Sequence, residues 1–518
     1  MTRFVGLDLG LKGRHRASVL DDATPRGKPF TVMVTRDGVE SLLQRAQEGA
    51  EGPVTFVMEP TGLAWLQISA QVVGAGHQIL VGKPQKLSDL RKFYSKYTKT
   101  DSVDATTVAR LPLLDPNGTH AMCVPTAEET TLRRLVKLRE RLAREVGDHK
   151  RRVHAVMVLA NPGLMAALGE DRFSAAKTAL LRTKVDPALV VSMGQKGLRR
   201  FFENHGSGRV DDATVDAVFE ACRLAADLYE ELRAVGKLPF DYAAIQEEVE
   251  YELDEIQRKV ATIRKLETKI ATTYRSFDPD ETLQQLRGVG PTIAAALEVF
   301  IGNVKRFPNS RKFIGYTGLC PRRKQSGTTD PAMPITKSGQ RILKKYLYLA
   351  ADVARQWDPD FAAYYAHRYA QGRHHNHILI ALARKMACRI YSLLKQRELA
   401  RSTVGATTPA PKPRYVLRDP TGLEITKQQA RELVVAKFTR SAVAPTRAES
   451  DRRRKGGKVE APSAAKVSGR PKVATGPIAE PPGQPVPVSA ILENVLPGLL
   501  KDRSRGVDKP RPESAGAP

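Results

Sequence analysis

The chain has only four cysteines in 518 residues, Cys123, Cys222, Cys320 and Cys388, and no two stand as a C-x-x-C pair. That argues against a zinc ribbon and a disulfide framework and fits a reducing compartment. Aromatic residues are also scarce, at 6%, too few for a protein that reads single-stranded bases mainly by stacking. No apolar run approaches about 18 residues, so no membrane association is expected. The opening MTRFVGLDLG lacks a signal-peptide pattern, and a soluble intracellular protein is expected. Acidic residues are in deficit: 56 Asp and Glu face 83 Lys and Arg, a net charge of +27. A surplus of that size predicts a polyanionic partner, most simply nucleic acid, and the basic runs recur along the whole chain. No helix-turn-helix or zinc finger for reading base edges is present in the pattern.

What is present divides into segments, and the length alone suggests about three domains. RFVGLDL, RASVLDD and PFTVMVT read as strands joined by short turns; VTFVMEP and HQILVGK read as two more, separated by helical periods in GVESLLQRAQEG and TGLAWLQISAQVVGAG. The order β-β-β-α-β-α-β-α predicts a mixed sheet with helices on its faces, an α/β fold of ribonuclease H type. Residues 126–280 turn helical, with two long charged amphipathic runs that suit either a dimeric coiled coil or a plain helical bundle. Residues 281–397 return to globular, mostly helical composition. From 398 to 518, Pro, Ala, Gly, Ser and Lys/Arg dominate, as in DRRRKGGK and EPPGQPVPV, and a disordered basic tail is expected.

Four carboxylates of the first segment fall at telling places on that order. Asp8 lies late in the first strand, Glu59 ends the fourth, and Asp101 and Asp104 are three residues apart on a late helix, facing the same way. Individually such residues serve as caps, turns or surface charge. In a ribonuclease H-like sheet these elements meet on one edge, and four converging carboxylates cannot all stay ionised without a cation. Oxygen ligands select Mg²⁺ or Mn²⁺, and a pair of such ions roughly 4 Å apart supports phosphodiester chemistry.

A second constellation is basic. Lys305 to Lys345 holds eleven Lys/Arg and one acid, Asp330, and includes Arg322, Arg323, Lys324, Lys337 and Arg341 as candidate phosphate contacts. Ser326 lies inside it, beside Gly327, with Thr328, Thr329 and Ser338 as alternative hydroxyls. Upstream, LRGVGPTIAAAL has Gly288 and Gly290 opening a helix, which fits either backbone-amide capture of a phosphate or a simple inter-helix turn.

Taken together these residues resemble the transposases of the insertion sequence 110 family. GLDLG with Asp8, VMEPTG with Glu59 and KTDSVDA with Asp101 and Asp104 resemble their RuvC-like DEDD domain, here residues 1–125. LRGVGPTIAAAL, FIGYTGLCPRRKQSG, ITKSGQRILKKYLYLAA and ALARKMACRIYSLL resemble their C-terminal transposase domain, here residues 281–397. The resemblance implies that the four acids hold Mg²⁺ and that Ser326 attacks DNA to form a phosphoserine link. It also implies a homo-oligomer, dimer or tetramer, and a structured guide RNA, the bridge RNA, that pairs with donor and target DNA. The setting it implies is the prokaryotic cytoplasm, on the nucleoid. The sequence departs from the family in carrying KQSGTT, where many members double the serine before the glycine, and in its long basic tail. Rival readings are a RuvC-like junction nuclease that uses water, and a non-catalytic nucleic-acid-binding protein.

Overall fold

Alternating apolar residues in the first strands build a sheet buried on both sides. In the computed structural model the chain is described from residue 2 to 445, apart from residues 11, 61, 95–99, 170, 207–209, 323–324, 326–334, 337, 405–410 and 443–444. The strands are β1 (Arg3–Leu9), β2 (Arg14–Asp21), β3 (Thr24–Pro25), β4 (Phe30–Met33), β5 (Thr55–Met58), β6 (Gln78–Gly82) and β7 (Thr119–Ala121), in the order β3-β2-β1-β5-β6-β7 with β4 also on β2. β1 runs antiparallel to β2 and parallel to β5; β5 is parallel to β6, and β7 returns antiparallel. The mixed sheet agrees with the α/β expectation, and the short β3 and β7 were not anticipated.

Strand alternation assigns the faces. Val5, Leu7 and Leu9 pack with Val39 and Leu42 of α1 (Arg36–Gln47) and with Ile68 and Val72 of α2 (Ala64–Gly74). Phe4 and Val57 face the other way, against Leu87 of α3 (Pro84–Tyr94) and Val108 and Leu111 of α4 (Asp101–Leu114).

This sheet, with residues 303–309, forms one compact unit. The second unit, beginning at Thr130, is helical. Its helices start with α5 (Ala127–Ala160), α6 (Leu164–Ala167), α7 (Ala175–Thr183), α8 (Pro187–His205), α9 (Asp212–Ala234) and α10 (Tyr242–Phe277), which share a core of Val153, Leu180, Phe202, Val218 and Leu253. Within one chain these helices form a bundle. α11 (Pro291–Ile301), α12 (Ser310–Thr317), α13 (Arg341–Trp357), α14 (Pro359–Ala370) and α15 (His375–Ser402) follow. Residues on either side of position 280 pack together in this unit: Glu140 of α5 accepts hydrogen bonds from Lys345 and Tyr346 of α13, each at 2.7 Å.

The tail expected to be disordered from residue 398 is corrected over part of its length. α15 continues to Ser402, and α16 (Lys427–Lys437) and α17 (Thr439–Ala442) are folded. Thr426 and Gln429 form a capping box that starts α16. Arg431 stacks over Trp357 at 4.7 Å, and Tyr415 N–H donates to Gln285 Oε1 at 2.8 Å. Average composition over the tail hid this local signal.

Candidate active site

Gly6 sets the geometry of the acidic site. A Cβ there would stand 2.1 Å from the Ala105 carbonyl oxygen and 2.5 Å from the Ala109 amide nitrogen, so only glycine lets α4 lie directly on β1. Asp8 lies two residues beyond Gly6 on the same strand face, and Asp104 directly precedes Ala105. The Thr100 hydroxyl caps α4 by accepting from Val103 N–H at 3.3 Å, which places Asp101 and Asp104 in the first turn. In the parallel β1–β5 register Leu7 pairs with Met58, so the next residues along, Asp8 and Glu59, leave the sheet edge together.

The charges interact. Burial first, then the charges of Asp104 and Asp101, push the Asp8 carboxyl from 3.8 to about 6; Arg91 opposes this and Glu59 adds to it. Asp104 is 4% exposed, Asp101 is exposed and Glu59 half-buried. Asp104 Oδ1 forms an ion pair with Arg91 Nε, yet both atoms are buried without a well-formed hydrogen bond. As the side chains stand, no group of three His, Cys, Asp or Glu among the described residues could hold a metal ion. The donor set is nevertheless all carboxylate oxygen, one buried oxygen lacks a hydrogen-bond donor, and the mutual repulsion is of the kind a divalent cation relieves. The residues present therefore fit Mg²⁺ or Mn²⁺.

Ser326, Arg323, Lys324 and Lys337 lie outside the described residues. The base of their segment is defined: Pro321 and Ile335 form an antiparallel bridge, and Thr336 N–H donates to the Cys320 carbonyl at 3.0 Å. Arg322 is exposed beside this base, and Arg341, also exposed, begins α13. Ser338, one of the alternative hydroxyls, bonds Thr336 Oγ1 at 2.7 Å. Not every cation of this segment is available for phosphate. Lys345 pairs with Glu140, and Lys344 Nζ donates to the Ser338 carbonyl at 2.9 Å.

Gly288 has a packing reason. Its φ is +85°, and a Cβ would stand 2.2 Å from the Ala350 carbonyl oxygen of α13. Gly290 is the N-cap of α11, whose following residues are buried from Thr292 to Ile301. The packing of Gly288 agrees with an inter-helix turn, and Gly290 opens the helix in either reading. Two histidines at the start of α15 hold local structure. His374 Nδ1 accepts from Asn376 N–H at 3.2 Å, and Tyr365 Oη pairs with His375 Nδ1 at 2.8 Å.

Sequence reasoning missed Gly6 and Arg91. Gly6 was legible as a glycine inside a strand, the usual mark of close backbone approach. Arg91 carried no signal, since nothing in KLSDLRKFY distinguishes it from Lys92.

Comparison with known proteins bears on the same residues. Residues 5–162 match the DEDD transposase family of IS110 type, and residues 280–366 match the transposase IS116/IS110/IS902 family. The chain is 24% identical over 404 residues to the insertion element IS110 uncharacterized 43.6 kDa protein of Streptomyces coelicolor, covering 76% of this chain and 94% of that one. It is 24% identical over 415 residues to the insertion element IS116 uncharacterized 44.8 kDa protein of Streptomyces clavuligerus, covering 79% and 96%. A shorter match, 28% over 116 residues, covers 22% of this chain and 36% of the pilin gene-inverting protein of Moraxella lacunata.

Proposed function

We propose that this chain, an insertion-element transposase of the IS110/IS116 type, cuts and rejoins DNA with the carboxylates Asp8, Glu59, Asp101 and Asp104 and the hydroxyl of Ser326. The observation that carries the reading is the repulsion felt by Asp8, raised to about 6 by burial and by its three acidic neighbours. Bound Mg²⁺ would supply Lewis-acid charge to the scissile phosphate. Half-buried Asp8 and buried Asp104, on facing elements, would hold the ion from the sheet side, while exposed Asp101 and half-buried Glu59 at the strand end would complete the donor set.

Ser326 oxygen attacks phosphorus and forms a serine–phosphate ester as the bond to a deoxyribose oxygen breaks; that oxygen leaves with a proton. The ester keeps the phosphodiester energy, so a second deoxyribose hydroxyl can displace the serine and reseal the strand without an added energy source. Arg322, Arg323, Lys324, Lys337 and Arg341 would hold the DNA backbone, a sequence-independent contact. Recognition of sequence falls to a structured guide RNA, in a homo-oligomer that joins the acids of one copy to the serine of another.

The test is trapping. Wild-type protein incubated with Mg²⁺ and its element's junction DNA should yield a covalent protein–DNA adduct. Ser326→Ala should lose the adduct and strand exchange together, and Asp8→Asn should lose both while still binding DNA. Continued cutting by Ser326→Ala would instead favour water as the nucleophile. RNA co-purifying from cells that carry the element's flanking DNA should be one short structured transcript; random cellular RNA would count against guidance.

A further inference from the structure

Two arginines of the sheet unit pair with largely buried carboxylates, and they do so in different ways. Arg3 grips Asp21 with a fork, Nε to Oδ1 at 2.6 Å and Nη2 to Oδ2 at 3.0 Å. Its remaining nitrogen donates to the carbonyls of Ala46 at 3.0 Å and Glu48 at 2.7 Å. That is a structural bridge with its donors in use. Arg91, in the last turn of α3, meets Asp104 with Nε nearest to Oδ1, out of hydrogen-bonding geometry, and has no hydrogen bond and no ion pair to another residue among the described residues. The Asp104 side chain is 5% exposed and that of Arg91 26%, so the carboxylate is fixed in the interior and the guanidinium has a way out to solvent.

We propose that Arg91 is an internal counter-ion: it holds Asp104 in the ion-free protein, competes with the divalent cation for that carboxylate, and on displacement serves a DNA phosphate beside the site. The inference rests on the carboxylate site put forward above. One guanidinium charge cannot neutralise four converging acids. A doubly charged ion neutralises more of the cluster and repels the guanidinium. Once displaced, Arg91 keeps five donors in a fork suited to phosphate oxygens. Cation binding and DNA binding are then coupled through one side chain, and the coupling is reciprocal.

The experiment is a Mn²⁺ titration of the full-length protein, read by electron paramagnetic resonance, with and without duplex DNA. Arg91→Met should bind Mn²⁺ about tenfold more tightly than wild type without DNA, the size one neighbouring charge gives, and DNA should no longer tighten it. Arg91→Lys, which keeps the charge, should stay near wild type and guards against a folding artefact. In an Asp104→Asn background, Arg91→Met should have no further effect on Mn²⁺. Mn²⁺ binding that is unchanged or weaker in Arg91→Met overturns the role of Arg91 alone. Absence of Mn²⁺ binding in the wild type, or binding that Asp8→Asn leaves intact, overturns the carboxylate site and this proposal with it.

Discussion

Glu140 in the helical unit is buried among counter-charges supplied by its own chain, whereas Asp8 in the sheet unit faces other acids. Glu140 accepts from Arg139 at 3.0 Å and from Lys345 and Tyr346 at 2.7 Å each. Burial alone would raise its carboxyl, yet Lys345 and Arg139 outweigh burial and hold it below its ordinary value. Asp358 also receives Tyr415 Oη at 2.5 Å and Arg389 at 3.1 Å, although burial still raises its carboxyl. Asp8 has the opposite surroundings: among the described residues its acidic neighbours outnumber the cation, Arg91, that opposes them. A buried acid with its counter-charges built in is architecture, whereas one facing other acids needs a cation from outside.

The strongest way to break this comparison is to remove a partner in the helical unit and a charge in the sheet unit. Arg139→Met takes the guanidinium from Glu267 and leaves Glu140 with Lys345 and Tyr346 alone, and should cost about 3–5 kcal/mol in urea unfolding of the helical unit. Asp8→Asn keeps the shape and removes a repelled charge, so the ion-free sheet unit should unfold at the same urea concentration as wild type or a higher one. A large loss in Asp8→Asn would make that residue architecture too.

A smaller effect separates two glycines. Gly6→Ala and Gly288→Ala each push a methyl into a carbonyl oxygen, 2.1 Å away on α4 and 2.2 Å away on α13. Overpacking of this kind costs about 1–3 kcal/mol, and both variants should show it in their unfolding midpoints. Only Gly6→Ala should also weaken Mn²⁺ binding, since it lifts Asp104 away from Asp8. Equal Mn²⁺ affinity in the two variants would mean that the contact of α4 with β1 does not assemble the site.

These contrasts mark how far the sequence could be read. The mixed sheet was legible because period-two alternation in RFVGLDL and VTFVMEP is local information, and so was the placement of Asp8 and Glu59 at strand ends. The pairing of Asp101 with Asp104 followed from helical spacing. The ion pair of Arg91 with Asp104 was not legible, because it depends on how α3 and α4 cross, which no local pattern encodes. The same holds for Lys345, which in sequence is one cation of a basic run and in the fold is the partner of Glu140. Folding of residues 411–442 was missed for another reason: Thr426, Gln429, Ala430 and Val434 carry a helix start and an apolar face, but Pro- and Ala-rich neighbours diluted them.

The smallest expected effect is one of pH, and it has opposite signs in the two units. Asp8 titrates near 6 in the fold against 3.8 ordinarily, so between those values the folded state binds more protons than the unfolded state. The sheet unit should therefore lose stability as pH rises from about 4 through 6. His375 is the reverse: burial lowers it from 6.5 to about 4, the unfolded state binds more protons in that window, and the helical unit should lose stability as pH falls through it. The two tryptophans separate the readouts, Trp65 standing in α2 and Trp357 in α13. Fluorescence-detected urea unfolding of Trp65→Phe and Trp357→Phe proteins across this range should show the two midpoints moving in opposite directions. Asp8 is only about half buried, so solvent screening keeps its slope shallow. Adding Mg²⁺ should flatten the Trp65 profile, because the cation then carries the counter-charge, and leave the Trp357 profile unchanged. A Trp65 profile indifferent to Mg²⁺ would place the ion, and the chemistry, elsewhere.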